Sequence, residues 1–322
     1  NAMKIDLRDK KILYELDKNS RQSNVSIAKK IKTSKEVVNY HINKLVNAGY
    51  VSKFYPVINT YRLGFNVYKV YIQFQNLTKE KEKEIIQYLV DHKLIHWIAL
   101  CSGRWDAIIA IWVKDAYDFT KNFYENFLNK YSEFILSKAV TISLRTNQQS
   151  RRWFLPHSKQ YQSSEIGLGF PSVKVDDADL KILRTIAPNC RLSIIDIAKK
   201  TNLASNIVRY RIKQLENKGL ILHYKIGVDA KRYGLIVAKA FVYFNNHTIK
   251  REKELISYCK EEKKIINVVR CLGPWDFEIE SEVEDFEIFN QLLKEIREKF
   301  PDLIKNYESV ITVSEPKISF MI

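Results

Sequence analysis

Four cysteines in 322 residues, at positions 101, 190, 259 and 271, form no C-x-x-C pair, and the six histidines are scattered. The pattern argues against a disulfide scaffold and a zinc finger, and a reducing cytoplasm is the expected setting. No apolar run approaches the ~20 residues that a membrane helix needs, and the chain opens on no signal-peptide pattern, so no membrane partner is expected. A Ser-His-Asp set, a P-loop and a G-x-G-x-x-G turn are also missing, which argues against an enzyme. No cofactor or metal is expected. Asn1 and Ala2, ahead of Met3, read as the remnant of a cleaved tag.

What the chain has in excess is positive charge. Fifty-three Lys and Arg against 37 Asp and Glu give +16, which points to a polyanionic partner. The excess is uneven. Residues 1–170 hold 27 basic and 15 acidic groups, hence +12, and residues 171–322 hold 26 and 22, hence +4. A 46% apolar content at this length supports two to four domains with real cores.

The chain is organised around Ser193 to Gly219, two helices joined by a tight turn. Val208, Ile212 and Leu215 form the buried stripe of the second helix, at spacing i, i+4, i+7. Ser193 is placed to cap the first helix, with Asp196 completing a capping box, and Gly219 suits the left-handed end of the second. A short helix, a turn and an outward basic helix is the layout of a helix-turn-helix reader. The stretch occurs twice. Ser23, Ile27, Ala28, Val38, Tyr40, Ile42, Leu45 and Gly49 stand 170 positions before Ser193, Ile197, Ala198, Val208, Tyr210, Ile212, Leu215 and Gly219. The offset holds downstream, where Gly103, Trp105 and Asp106 match Gly273, Trp275 and Asp276.

In chain order, a first helix over 7–18 turns Leu7, Ile12, Leu13 and Leu16 inward, and helices follow Ser23 and Ser34. Residues 51–64 alternate and carry Pro56, as a wing hairpin at an edge would. From residue 65 the order strand, helix, strand, strand, helix, strand predicts a ferredoxin-like sandwich. The second copy repeats it to about Val313, with a short extra strand near Ile318. The expectation is thus α+β: winged helix-turn-helix domains at 4–62 and 175–232, ferredoxin-like βαββαβ domains at 63–147 and 233–322, and a linker at 148–174. The linker, some 25 residues with a reach of ~80 Å, would let the second reader move freely unless Trp153 and Phe154 anchor it.

This order resembles the Lrp/AsnC (feast/famine) transcriptional regulators of bacteria and archaea. The residues that carry the resemblance include Asp9, Ile12, Leu13, Arg21, Ile27, Ala28, Gly49 and Gly64, their counterparts Asp179, Leu183, Arg191, Ile197, Ala198, Gly219 and Gly234, and the Gly-x-Trp-Asp loops at 103–106 and 273–276. The resemblance implies a regulator that binds double-stranded DNA, and sandwich (RAM-type) domains that pair. Family members carry one unit per chain; here two units in one chain would make an intrachain pseudo-dimer, and further homo-oligomerisation stays open. It also implies a small-molecule effector, often an amino acid, near Gly103, Arg104, Trp105, Asp106, Gly273, Trp275 and Asp276. Structurally, the same loops need only a turn glycine, a packing Trp and a capping Asp.

The DNA-contacting candidates are the outward positions of each second helix. They are Ser205, Asn206, Arg209, Tyr210, Arg211 and Lys213 in the second copy, and Ser34, Lys35, Asn39, Tyr40, His41 and Lys44 in the first. Arg bonds guanine bidentately, while Asn and Tyr reach bases or phosphates. The first copy has Asn39, His41 and Asn43 where the second is basic, so the readers should prefer unlike half-sites. One strand differs sharply between copies: Ile108, Ala110 and Trp112 against Glu278, Glu280 and Glu282. The apolar set reads as buried against a partner, the acidic set as solvated or facing Lys and Arg, with a metal site as the rarer alternative. Two other readings of the function stay open: an architectural DNA binder of low specificity, and an enzyme similar to the siroheme decarboxylases. The latter are expected to carry a His-Arg pair before the glycine opening the sandwich; residues 59–62 and 229–232 read Asn-Thr-Tyr-Arg and Asp-Ala-Lys-Arg.

Overall fold

A computed structural model describes residues 5–321; positions 1–4 and 322, with the tag remnant and the outermost limits of the expected domains, lie outside the described residues. The first copy runs α1 (Leu7–Lys18), α2 (Asn24–Ile31), α3 (Lys35–Asn47), β1 (Lys53–Ile58), β2 (Asn66–Phe74), α4 (Lys79–Asp91), β3 (Ile95–Gly103) and β4 (Ala107–Val113). A helix follows in three parts, α5 (Ala116–Phe119), a π-helical turn and α6 (Glu125–Tyr131), and then β5 (Ile135–Gln149). After a connecting β6 (Ser163–Gly167), the second copy runs α7 (Asp177–Ile186), α8 (Ile194–Thr201), α9 (Ser205–Asn217), β7 (Ile221–Gly227) and β8 (Ile236–Phe244). It ends with α10 (Ile249–Glu261), β9 (Ile265–Leu272), β10 (Phe277–Val283), α11 (Phe286–Lys299) and β11 (Ile304–Ile318).

Helix starts follow side-chain caps. Asp6 and Asp9 form a reciprocal capping box on α1, and Asp176 and Asp179 repeat it on α7. Ser193 caps α8 by accepting from the Asp196 amide at 3.0 Å, but its hydroxyl donates to the Asp196 carboxylate, so the expected box is only half formed. Leu7 is exposed rather than inward, because it opens the first turn ahead of the buried Ile12, Leu13 and Leu16.

The two βαββαβ units do not stay separate. Each has the strand order last, first, third, second, and the edges join: β3 pairs with β11, and β9 with β5, all antiparallel. Because β2 bonds both β4 and β5, the eight strands close into one barrel and leave no free edge. Alternation along each strand sends one set of side chains out and the other in. Outside, Val70, Ile72, Ile109 and Ile111 pack under α4, α5 and α6, and Ala240, Val242, Phe277 and Ile279 pack under α10 and α11. Inside, Tyr71, Ile108, Trp105, Phe241, Cys271 and Trp275 form a core shared by both copies.

Three expectations need correction. The stretch after Gly49 is no wing hairpin: β1 pairs with β7 of the other copy, Lys53 against Gly227 through Ile58 against Ile221, so each copy supplies one strand of a ribbon. The last strands are also longer than the pattern indicated: β5 runs beyond the expected 139–144 at both ends and reaches β6, and β11 absorbs the separate strand near Ile318. Nor is 148–174 a free tether. Its β6 bonds β5, Phe154 is buried in the first reader's core, and the Arg151 guanidinium joins Asp17 at 2.9 Å to Glu282 at 2.9 Å. A buried, doubly paired arginine holds the connection in place.

The acidic strand face lies inside the barrel, facing basic groups rather than solvent. Glu278 accepts from Lys69 at 2.8 Å, Lys239 at 3.4 Å, Trp275 Nε1 at 3.2 Å and the Tyr71 hydroxyl. Burial alone would raise its pKa, but Lys69 and Lys239 hold it at about 2. A depressed acid contributes stability above its unfolded value, near 4.5, and loses it as pH falls toward about 2. We therefore expect Glu278→Gln to be markedly less stable than the parent at pH 6 in urea unfolding, with the gap narrowing as pH approaches 2; a gap independent of pH would contradict the assignment.

Candidate DNA-binding face

Both second helices present one polar face. On α3 the positions Ser34, Lys35, Asn39 and Tyr40 are exposed, and on α9 Asn206, Arg209, Tyr210 and Lys213 are, with Ser205 half-buried. Tyr40 and Tyr210 are 65% and 63% exposed, so their rings are presented rather than packed. Behind them Val38, Ile42 and Leu45, and Val208, Ile212 and Leu215, are buried, which fixes the rotation of each helix. Arg209 makes no ion pair among the described residues; Lys213 has only Glu216, at 3.6 Å.

Two expected contacts turn the other way. His41 is buried, its Nδ1 2.6 Å from Asp9, whose second oxygen takes Lys44 at 3.1 Å. Arg211, its counterpart, reaches back to Asp176 at 2.8 Å and Asp179 at 2.9 Å. The cause is the same in both: the carboxylates that cap the first helix of the reader need a cation, and the third helix supplies it. Burial would raise the Asp9 pKa, yet the bonds from His41 and Lys44 lower it. His41 and Arg211 are therefore positioning residues of the reader core, and Lys44 is partly committed to the same role. The trio Asp6, Asp9 and His41 also has the spacing of a metal cluster, but the Lys44 ammonium already occupies the charge such an ion would bring.

What the sequence reading missed is how the readers hold each other. Arg21 donates to the carbonyls of Cys190 and Leu192, and Arg191 donates to those of Ser20 at 2.6 Å and Gln22 at 3.1 Å. Ser20 N bonds the Tyr224 carbonyl and Cys190 N the Phe54 carbonyl, at 3.0 and 2.8 Å. Every partner is 170 positions from its counterpart, so this is a two-fold clasp. Burial pushes the Arg191 pKa down, yet its donors have carbonyl partners and it stays bonded. The signal was present: Arg21 and Arg191 share the offset and follow the first helix of each copy.

The Gly-x-Trp-Asp loops serve the barrel. Trp105 and Trp275 are buried with ring centres 6.0 Å apart, inside the shared core. The Asp106 and Asp276 carboxylates accept from the amides of Phe74 and Phe244 at 2.7 and 2.8 Å. A Cβ at Gly103 would lie 2.7 Å from the Ser309 carbonyl oxygen, and one at Gly273 2.8 Å from that of Val140, where the other copy's strand crosses. Arg104 stacks on Trp105 and pairs with Glu308 at 3.3 Å. At these loops the tryptophans are packed in the shared core and the two carboxylates are engaged by backbone amides, while Gly103 and Gly273 stay exposed.

Residues 5–52 and 175–221 match the winged helix-turn-helix DNA-binding family model. Over 147 residues the chain is 27% identical to the HTH-type transcriptional regulator LrpB of Bacillus subtilis (strain 168), spanning 45% of this chain and 93% of that protein. The two matched segments stand 170 positions apart, and the chain is similar to Lrp/AsnC-type regulators. To a second relative, the HTH-type transcriptional regulator Ptr1 of Methanocaldococcus jannaschii, the chain is 28% identical over 122 residues, 38% of this chain and 80% of that one. In fold, the whole tandem chain is similar to the siroheme decarboxylase NirDL, with TM-score 0.66 and 11% identity over 98% of this chain and 93% of that chain.

The inward reading of His41 predicts a separation of effects. His41→Ala should destabilise by about 1–3 kcal/mol in urea unfolding, since it strips a buried carboxylate of a partner, while duplex affinity of the folded protein stays within twofold of the parent. A variant of parental stability with lost affinity would return His41 to the DNA face.

Proposed function

We propose that the protein is a sequence-specific DNA-binding transcriptional regulator, working as an intrachain pseudo-dimer. The observation that carries this reading is the exposed polar face of α9, Asn206, Arg209, Tyr210 and Lys213, on a helix-turn-helix whose copy on α3 presents Ser34, Lys35, Asn39 and Tyr40. Arg209, unpaired among the described residues, offers the guanidinium that bidentate guanine recognition requires, and the +16 net charge supplies attraction to the duplex. The named regulators among the sequence relatives support the same class. On this reading the functional units are the readers at 4–62 and 175–232 and the barrel halves at 63–147 and 233–322. The segment 148–174 acts as a fixed strap, not a tether.

Because the two faces differ, each reader has its own half-site, and the better-equipped α9 contributes more of the specificity. An architectural binder would not need unlike readers. The enzymatic alternative rests on the fold shared with a siroheme decarboxylase, at 11% identity. Against it stands the absence of histidine from 59–62 and 229–232, and we take the protein not to be an enzyme.

Selection from random duplexes tests the reading. The protein should enrich an asymmetric site with two unlike halves and lose affinity steeply with salt. Arg209→Ala should cost ~1–3 kcal/mol on that site and relax one base position. Failure to enrich any sequence, with weak binding even at low salt, would contradict the proposal.

A further inference from the structure

The clasp between the readers departs from its two-fold symmetry at one point. Arg21 stops at the carbonyls of Cys190 and Leu192. Arg191 bonds the carbonyls of Ser20 and Gln22 and then goes further, its Nη2 donating to Oδ1 of Asn24 at 2.7 Å. Asn24 opens α2, and its counterpart in α8 is Ile194, whose side chain can accept nothing. From Asn24 the contact continues to the recognition helix: its Nδ2 donates to Oδ1 of Asn39 on α3, at 3.3 Å. A residue of the second copy is thereby linked to the candidate DNA face of the first. Among the described residues no such link runs the other way.

The direction of each bond follows from what each group can do. A guanidinium only donates, so Asn24 turns its amide oxygen to Arg191 and its nitrogen to Asn39. Facing a donor, Asn39 offers its oxygen. Its own Nδ2 has no protein partner among the described residues, and the side chain is exposed on α3. The other lone pair of Oδ1 is also left over. A donor beside an acceptor, in fixed order, is what adenine matches in the major groove through N7 and its N6 amino group. At the position related by the 170-residue offset stands Arg209, and a guanidinium suits the paired acceptors of guanine. The bond from Asn24 competes with water in the free protein; a duplex seated on α3 excludes that water and strengthens it.

We infer that Asn39 reads adenine in the first half-site, with Asn24 and Arg191 as the positioning residues that set the order of its donor and acceptor. The inference deepens the regulator reading and rests on it. The target site is a broken palindrome: adenine stands in one half where the other half has guanine. One copy helps to fix the base that the other copy reads.

Competition binding with the selected duplex, carrying each of the four bases in turn at the two symmetry-related positions, tests this. The full chain should prefer adenine in the first half by about fivefold or more, and guanine in the second. Asn24→Asp keeps an acceptor for Arg191 but sets an acceptor against Asn39, whose amide then turns over and presents donor and acceptor in the wrong order. That variant should unfold in urea as the parent does, keep the guanine preference in the second half, and favour adenine in the first by less than about twofold. Its added negative charge weakens all duplexes alike, so the ratio between bases is the readout. Asn39→Arg should change the preference of the first half to guanine and leave the second half as it was. The inference is overturned if both positions select the same base in the parent, if Asn24→Asp keeps the parent's adenine ratio, or if Asn39→Arg leaves the first half unchanged. Should Asn24→Asp prove unstable, the parent's base ratios and Asn39→Arg decide. A selected site without the adenine–guanine difference contradicts this inference alone, whereas enrichment of no sequence contradicts the regulator reading beneath it.

Discussion

The carboxylate of Glu278, fully enclosed at the centre of the barrel, is the group on which the arrangement of the two halves depends. Its four donors come in equal number from each copy, Lys69 and Tyr71 from the first, Lys239 and Trp275 from the second. Removing one partner from a buried ion network leaves an uncompensated charge, which is far more damaging than the net value of the network suggests. Lys69 and Lys239 hold the same position in the two copies, but the acid at 278 replaces Ile108. The device works only between unlike halves: two first halves would face lysine with Ile108 and Ala110, and two second halves would bring surplus carboxylates together. Sequence divergence after duplication has thus made the intrachain pairing specific.

From that barrel the geometry propagates outward. The crossing strands force glycine at 103 and 273, where the opposite backbone comes too close for a side chain. The ribbon of β1 and β7 then carries the pairing to the readers, and the arginine clasp completes it at Ser20 and Cys190. Arg151 ties the connecting segment to both the first reader and the barrel, through Asp17 and Glu282. The two recognition helices are consequently parts of one rigid frame, and their separation is a property of the fold rather than of a linker.

Much of this was legible in the sequence, and the limits have physical causes. The duplication, the helix stripes at Val208, Ile212 and Leu215 and the βαββαβ order are local patterns, and local patterns are set by periodicity. Partner choice is not local. β1 alternates like a wing, but whether it pairs within its copy or with β7 depends on the clasp behind it. Likewise, His41 and Arg211 sit beside truly exposed neighbours, and only the position of the capping carboxylates Asp9, Asp176 and Asp179 turns them inward. The apolar-to-acidic change along β10 was visible, yet its meaning required the Lys69 of the other copy.

The central claim is that barrel, ribbon and clasp fix the two readers as one unit. The measurement that tests it most directly is duplex affinity as the two selected half-sites are moved apart one base pair at a time. Rigid readers predict one sharp optimum, with a steep loss when half a helical turn, ~5 base pairs, rotates one half-site to the far side of the duplex. Affinity that is indifferent to spacing would mean independently tethered readers and would contradict the account.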